Sequence, residues 1–240
     1  MITTRYFENI EKVLHTICTA EKESIKKAAE TAAKVIKNDG IIYVFGCGHS
    51  HLAALDSFYR AGGLANVSAV LDSDLMLHNG AAKSSIMEKL PGLASGIFER
   101  YCMNENDVFI IISTSGKNAV PVEMALEAKM HKVKTIGIAS SEYLKKNVHG
   151  KKMLADCVDL YIDNHIPYGD VSVEIGHCKM GSMSTFAGSF IIQSALMEAA
   201  HLLYSSGYTD IPVYMSGNAE GGTEYNKEIV KHYLPKIKHL

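Results

Sequence analysis

The stretch "DVFIIISTSGKNAVPVEMALEAK" (residues 107–129) decides how the rest of the chain is read. An unbroken apolar run, Val108 to Ile112, turns abruptly into Ser113, Thr114, Ser115, Gly116, Lys117 and Asn118, and a helical pattern follows. A strand that is apolar throughout, with no polar alternation, is covered on both faces, which is the condition of a parallel sheet. A helix directly after it makes a strand–helix unit of an α/β fold.

Working outward, "IIYVFG" (41–46), "VSAVL" (67–71), "VKTIGIA" (133–139) and "CVDLYI" (157–162) are further runs of the same kind, separated by helix-length segments. The predicted fold class is therefore α/β: a doubly wound parallel sheet of about five strands flanked by helices, with a long N-terminal helix. From Tyr6 to Lys37 apolar residues recur at helical spacing, as one helix or two in series, and Asn38-Asp39-Gly40 stops them. A second helix is expected from the 46–51 turn to about Ala61, and a third from about Ser85 to Met103, broken at Pro91-Gly92. After a loop over 164–182, an apolar helix is expected from Ser184 to Tyr204 and a short terminal helix at the end. The chain reads as a single domain, with residues 1–39 a helical segment packing on the core formed by 40–240.

Composition narrows the function classes. The 240 residues carry a formal net charge of -2, with 47% apolar and 21% charged residues. That balance gives no electrostatic footprint for nucleic acid, and no basic patch or helix-turn-helix stands outside the α/β pattern. The five cysteines are odd in number, scattered and free of any CxxC pair, so most are expected as small core residues in a reducing compartment. The amphipathic N-terminus does not read as a signal peptide, and no window approaches the roughly 18 apolar residues of a membrane span. The expectation is a cytoplasmic protein with no membrane partner.

In a doubly wound sheet ligands bind beyond the carboxyl ends of the strands. Two strand-to-helix turns are unusually polar there. One is "VFGCGHSHLAAL" (44–55), with Gly46, Gly48, His49, Ser50 and His51; the other is "STSGKN" (113–118). Glycine permits close backbone approach, and a helix start presents free N–H groups. Ser50, Ser113, Thr114 and Ser115 add rotatable O–H donors and Asn118 an amide, which suits a phosphate, an all-acceptor ligand at neutral pH. One such turn alone is equally a decorated helix cap; two after buried strands point to an anion site. Neither GxGxxG nor a Walker lysine loop is present, so no nucleotide cofactor is expected. No HxxxH or similar spacing supports a metal. His49 and His51, flanking Ser50, are candidates for a sugar hydroxyl, and "SGNAEGGTEYN" (216–226) reads as either an exposed loop or a lid.

"FGCGHS" followed some sixty residues later by "STSGKN" resembles the paired signature of the sugar isomerase (SIS) family. With "MGSMSTFAGSF" and "SGNAEGGTEYN", the whole chain is similar to the UPF0309 type of SIS protein, related to phosphoheptose isomerase. The resemblance implies a flavodoxin-like core, a phosphorylated-sugar ligand and a homodimer or homotetramer. It places phosphate and sugar on Gly48, His49, Ser50, His51, Ser113, Thr114, Ser115 and Asn118. It further implies aldose–ketose isomerisation, which needs a carboxylate base. Arg60 stands near the position of the usual helix glutamate, and only Asp56 is acidic between His51 and Gly63. Glu88 stands where the related etherase carries an acidic residue. Glu174 and His177, in "YGDVSVEIGH", resemble the segment carrying a catalytic histidine in phosphoheptose isomerase. The implied catalytic set is thus Glu88, Glu174 and His177. A non-catalytic phosphosugar sensor, or a lyase or etherase acting on an N-acetylamino sugar 6-phosphate, remain the alternative readings.

Overall fold

The computed structural model describes residues 1–147 and 150–240. The N-terminal apolar pattern folds as two helices in series, α1 (Ile2–Ala20) and α2 (Lys22–Lys37), which meet at Glu21. Then follow β1 (Ile42–Gly46), α3 (His51–Ser57), β2 (Val67–Val70), α4 (Ala81–Met87), α5 (Leu93–Phe98), β3 (Val108–Ile112) and α6 (Ala119–Met130). The second half contains β4 (Lys134–Ala139), α7 (Ser141–Leu144), β5 (Leu160–Asp163), β6 (Val173–Ile175), β7 (Cys178–Met180), α8 (Ser184–Ser205) and α9 (Gly222–Tyr233).

The first five strands form one parallel sheet in the order β2-β1-β3-β4-β5. Alternate side chains of each strand go to opposite faces. Ile42, Val44, Val108, Ile110 and Ile112 pack under α2, α3 and α8, while Tyr43, Phe45, Phe109 and Ile111 pack under α5 and α6. This is why the strand sequences read as continuous apolar runs: neither face is wet. Small residues let α8 lie close to the sheet: Ala187, Gly188, Ala195 and Ala199 all face inward.

Several expected boundaries move, each for a local reason. The helix after β1 stops at Ser57, not near Ala61, because Phe58 turns extended and packs between both core layers. The last strand of the sheet begins at Leu160, not Cys157, because Leu154–Asp156 form a 3-10 turn, with the Asp156 carboxylate accepting from the Met153 N–H. Within the expected loop 164–182 lies a hairpin, β6 paired antiparallel with β7. Its outward side chains carry no core signal for a sequence reading. Three of the five cysteines, Cys18, Cys102 and Cys178, are exposed, so only Cys47 and Cys157 are the core residues expected of most of them. One helix, α8, is long and apolar enough by length and composition to cross a membrane, contrary to the expectation that no window approaches that. Its buried face is the one packed on α2 and the sheet.

The tail does not form a lid over this chain's strand ends. Tyr214 exchanges backbone bonds with Gly62 and Gly63, and Ala65 donates to Pro212, at the amino-terminal edge of the sheet. Asn226 grips Met215 through both its amide and its carbonyl oxygen.

Candidate active site at the carboxyl ends of β1 and β3

The strand order reverses between β1 and β3, so the crevice that takes ligands in such sheets opens at their carboxyl ends. Gly46 and Ile112 are paired across these strands, about 4.8 Å apart by the spacing of neighbouring strands. The two polar turns therefore start side by side.

The first turn is held tight by glycine. A Cβ on Gly46 would stand 2.6 Å from the Ser50 carbonyl carbon, so no other residue lets the chain double back there. Gly48 takes a left-handed φ of 56°, and the Ser50 N–H closes the turn on Cys47. His51 is buried and its Nδ1–H donates to the Gly48 carbonyl. Burial holds its pKa below the ordinary histidine value, with His78 and His49 adding to the effect against the Gly48 bond. The ring is thus a neutral brace of the turn, whereas His49 is exposed.

The second turn is anchored from the neighbouring strands. The Ser113 N–H donates to Ile138, Ser140 donates its N–H to the Thr114 carbonyl, and Leu154 donates to the Gly116 carbonyl. Gly116, at φ 60°, folds its N–H back onto the Ser113 carbonyl and hydroxyl oxygens. Asn164, fully buried after β5, donates its amide to the Thr114 hydroxyl oxygen at 3.2 Å.

The hydroxyl protons are the informative atoms. Ser57, Ser84, Ser140, Ser172, Ser184 and Ser206 each donate to an acceptor inside the chain, whereas buried Ser68 and exposed Ser73, Ser85 and Ser95 do not, so it is the gathering of such hydroxyls that sets the two turns apart. Among the described residues, no acceptor takes the protons of Ser50, Ser113, Thr114 or Ser115; Ser113 and Thr114 only accept. Four O–H donors are gathered at two adjacent strand ends without internal acceptors, an arrangement whose chemistry suits an oxygen-rich anion.

Glu88 joins the same place through α6. It follows α4, and its backbone carbonyl accepts from the Val120 N–H in the first turn of α6. Its half-buried carboxyl is pushed above the usual glutamate range by burial, against an opposing hydrogen bond from the Asn118 side chain and the charge of Lys89. Asn118 begins α6 without capping it; its side chain lies near the Glu88 carboxyl. Burial, with the nearby carboxylates of Glu88 and Asp72, also pushes the Cys47 thiol well up, so that sulfur is an inert part of the floor.

Glu174 and His177 lie elsewhere in this chain. They sit on the β6–β7 hairpin, exposed, with Glu174 paired to Lys179 at 2.9 Å. That lysine holds the Glu174 carboxyl below its ordinary range. The hairpin is tied to α1 by Tyr6, which donates to Ser182, and Asn9, which donates to Ser172. No hydrogen bond joins it to either turn among the described residues. Arg60, the residue that the resemblance sets near the usual glutamate, lies beyond the end of α3 and is paired with Asp56. Two supports of the site were missed from the sequence, Ser140 and Asn164. Both directly follow apolar strands, the same signal that marked Ser113.

The comparisons with known proteins agree with this architecture. A family model described as the SIS domain matches residues 5–140. A UPF0309 protein of Geobacillus thermodenitrificans is 40% identical over 241 residues, covering 98% of this chain and 96% of its own. Among solved structures, a phosphoheptose isomerase from Francisella tularensis aligns with a TM-score of 0.58 at 15% identity, over 83% of this chain and 96% of that one. The Vibrio vulnificus NanR protein complexed with ManNAc-6P aligns at 0.54 and 13% identity, over 100% and 71%. At such identities these two share the fold.

Proposed function

This chain belongs to the SIS-domain family, alongside the UPF0309 proteins, and from that premise we propose that it binds a phosphorylated sugar or amino sugar and interconverts its aldose and ketose forms. One observation carries the reading: the unpartnered hydroxyl protons of Ser50, Ser113, Thr114 and Ser115 at the switch between β1 and β3. They suit the phosphoryl oxygens of such a ligand, and neutral donors leave room for the sugar. The phosphate would fix the ligand while Glu88 works on the carbons. A carboxylate whose pKa is raised by burial is a stronger base once ionised. It would take the proton from C2 of the open-chain aldose, leaving an enediolate charged on O1; as the O2 hydroxyl proton passes to O1, the Glu88 carboxylic acid returns its proton to C1 and the C2 ketone forms. His51 keeps the first turn closed, and Asn118 orients Glu88. In the homodimer or homotetramer expected from the sequence, the exposed Glu174 and His177 would act from a neighbouring copy, His177 assisting ring opening.

A second reading is favoured by Arg60, which the resemblance sets near the position of the usual glutamate and which is paired with Asp56 just beyond the end of α3. It is a sensor that binds the phosphosugar without turning it over, as befits a fold shared with a NanR protein complexed with ManNAc-6P. Incubation with hexose, pentose, heptose and amino sugar phosphates in D2O separates the two. An isomerase exchanges the C2 proton for deuterium, by proton NMR, and Glu88→Gln abolishes exchange while sparing binding. Binding without exchange in the wild-type chain leaves the sensor.

A further inference from the structure

Beside Asn118 the chain forms a concavity of about 560 Å³, within the range of small-molecule sites. Four lysines line it, Lys89, Lys117, Lys146 and Lys151, with Tyr143 and Tyr168. No carboxylate is in its wall, whereas each of four other cavities among the described residues carries at least one: Glu198, Asp39, Glu11 and Glu123, respectively. In a chain of net charge -2, that is a local excess of one sign.

The four lysines come from separate places: the end of α4, the hydroxyl loop, the turn after α7 and the segment beyond it. No single helix periodicity brings them together. The wall is built rather than loose. Lys146 Nζ lies 3.8 Å over the Tyr168 ring, and the Tyr143 and Tyr168 rings pack at 4.6 Å. The Tyr143 hydroxyl accepts from the Gly169 N–H at 3.0 Å. Asn147 holds the Lys151 backbone through both ends of its side-chain amide. Neighbouring Lys145 is paired with Glu142, but none of the four lining lysines is in an ion pair among the described residues.

We infer that this cavity is a second anion site, one that takes a multiply charged phosphoryl group. Ammonium groups act as compact point charges for phosphoryl oxygens, and several converging on one pocket favour a dianion or more over a monoanion. The hydroxyl turn uses neutral donors and this cavity cationic ones; Lys117 and Asn118 lie where the two meet. The phosphoryl group has two sources, a second phosphate on the sugar ligand or a separate phosphorylated effector. The inference does not rest on the isomerase reading.

Pyrophosphate is the probe, titrated calorimetrically into the wild type, Ser115→Ala and the exposed double variant Lys146→Gln/Lys151→Gln at low and high salt. The expected result is comparable binding by wild type and Ser115→Ala, at least about tenfold weaker binding by the lysine variant, and a marked loss with salt. Titrations with a sugar bisphosphate and its monophosphate then assign the source. An affinity advantage of the bisphosphate that is lost in the lysine variant means one ligand spans both sites. Pyrophosphate and monophosphate binding together, one of each per chain, means a separate effector. The inference is overturned if pyrophosphate fails to bind the wild type, or if its binding is unchanged in the lysine variant.

Discussion

Asn118, which begins α6 without capping it, stands beside the carboxyl of Glu88, 30 residues earlier in the chain across α5 and β3, and the Glu88 carbonyl accepts from the Val120 N–H at 3.1 Å. The residue that ends the hydroxyl loop is thereby a neighbour of the candidate base.

The pH dependence follows from that pair. Burial raises the Glu88 pKa and the nearby Asn118 side chain lowers it. Turnover is expected to fall as pH drops through a value above the ordinary glutamate range. Asn118→Ala removes the lowering contribution, so the acid limb moves to higher pH. A pH–rate profile, or a carbon-13 NMR titration of the Glu88 carboxyl, reads the shift.

The same burial has a cost in stability. Between the ordinary glutamate pKa and the raised one, the folded chain keeps a proton that the unfolded chain has released, so stability falls as pH rises through that window and stays lowered above it. Glu88→Gln is therefore expected to raise the melting temperature at pH 7 relative to wild type, at about 2–4 °C per kcal/mol for a chain of this size, and not at pH 4. Thermal unfolding at the two pH values checks it.

Asn164→Ala tests the brace under Thr114. Besides its bond to Thr114, Asn164 accepts from the Ile166 N–H through Oδ1 and is fully buried. Truncation leaves that N–H without its partner, with an expected loss of about 1–3 kcal/mol in urea unfolding. Phosphosugar affinity falls with it, because the Thr114 hydroxyl is no longer oriented.

Gly46→Ala tests the first turn. The added methyl meets the Ser50 backbone, and relieving such overpacking costs about 1–3 kcal/mol. Ser50 moves in consequence, so binding weakens in a chain that still folds.

Much of this was legible in the residues. The five apolar runs and their helices specify the sheet because both faces are dry, and the Ser and Gly residues after Gly46 and Ile112 mark the strand ends at which sheets of this kind take ligands. Glu88 was legible only by resemblance, since nothing in "SSIMEKL" shows that α4 ends against the first turn of α6. The hairpin was not legible, because its outward side chains are exposed and carry no core period. Nor was the role of His51: a histidine beside a serine reads as a ligand, and only its burial and its bond to Gly48 make it a brace. The lysine cavity joins four distant segments, a relationship that only the folded chain contains.

Binding of phosphorylated sugars by the hydroxyl loop is tested most directly by calorimetric titration of a sugar phosphate panel, with the unphosphorylated sugars beside it, into wild type and Ser115→Ala. A hydroxyl bonded to a charged group contributes about 1.5–3 kcal/mol, so one or more phosphorylated sugars should bind the wild type and bind Ser115→Ala roughly ten- to a hundredfold more weakly, while their unphosphorylated forms bind neither. Affinity that ignores the phosphate, or that is unchanged in Ser115→Ala, would contradict the assignment.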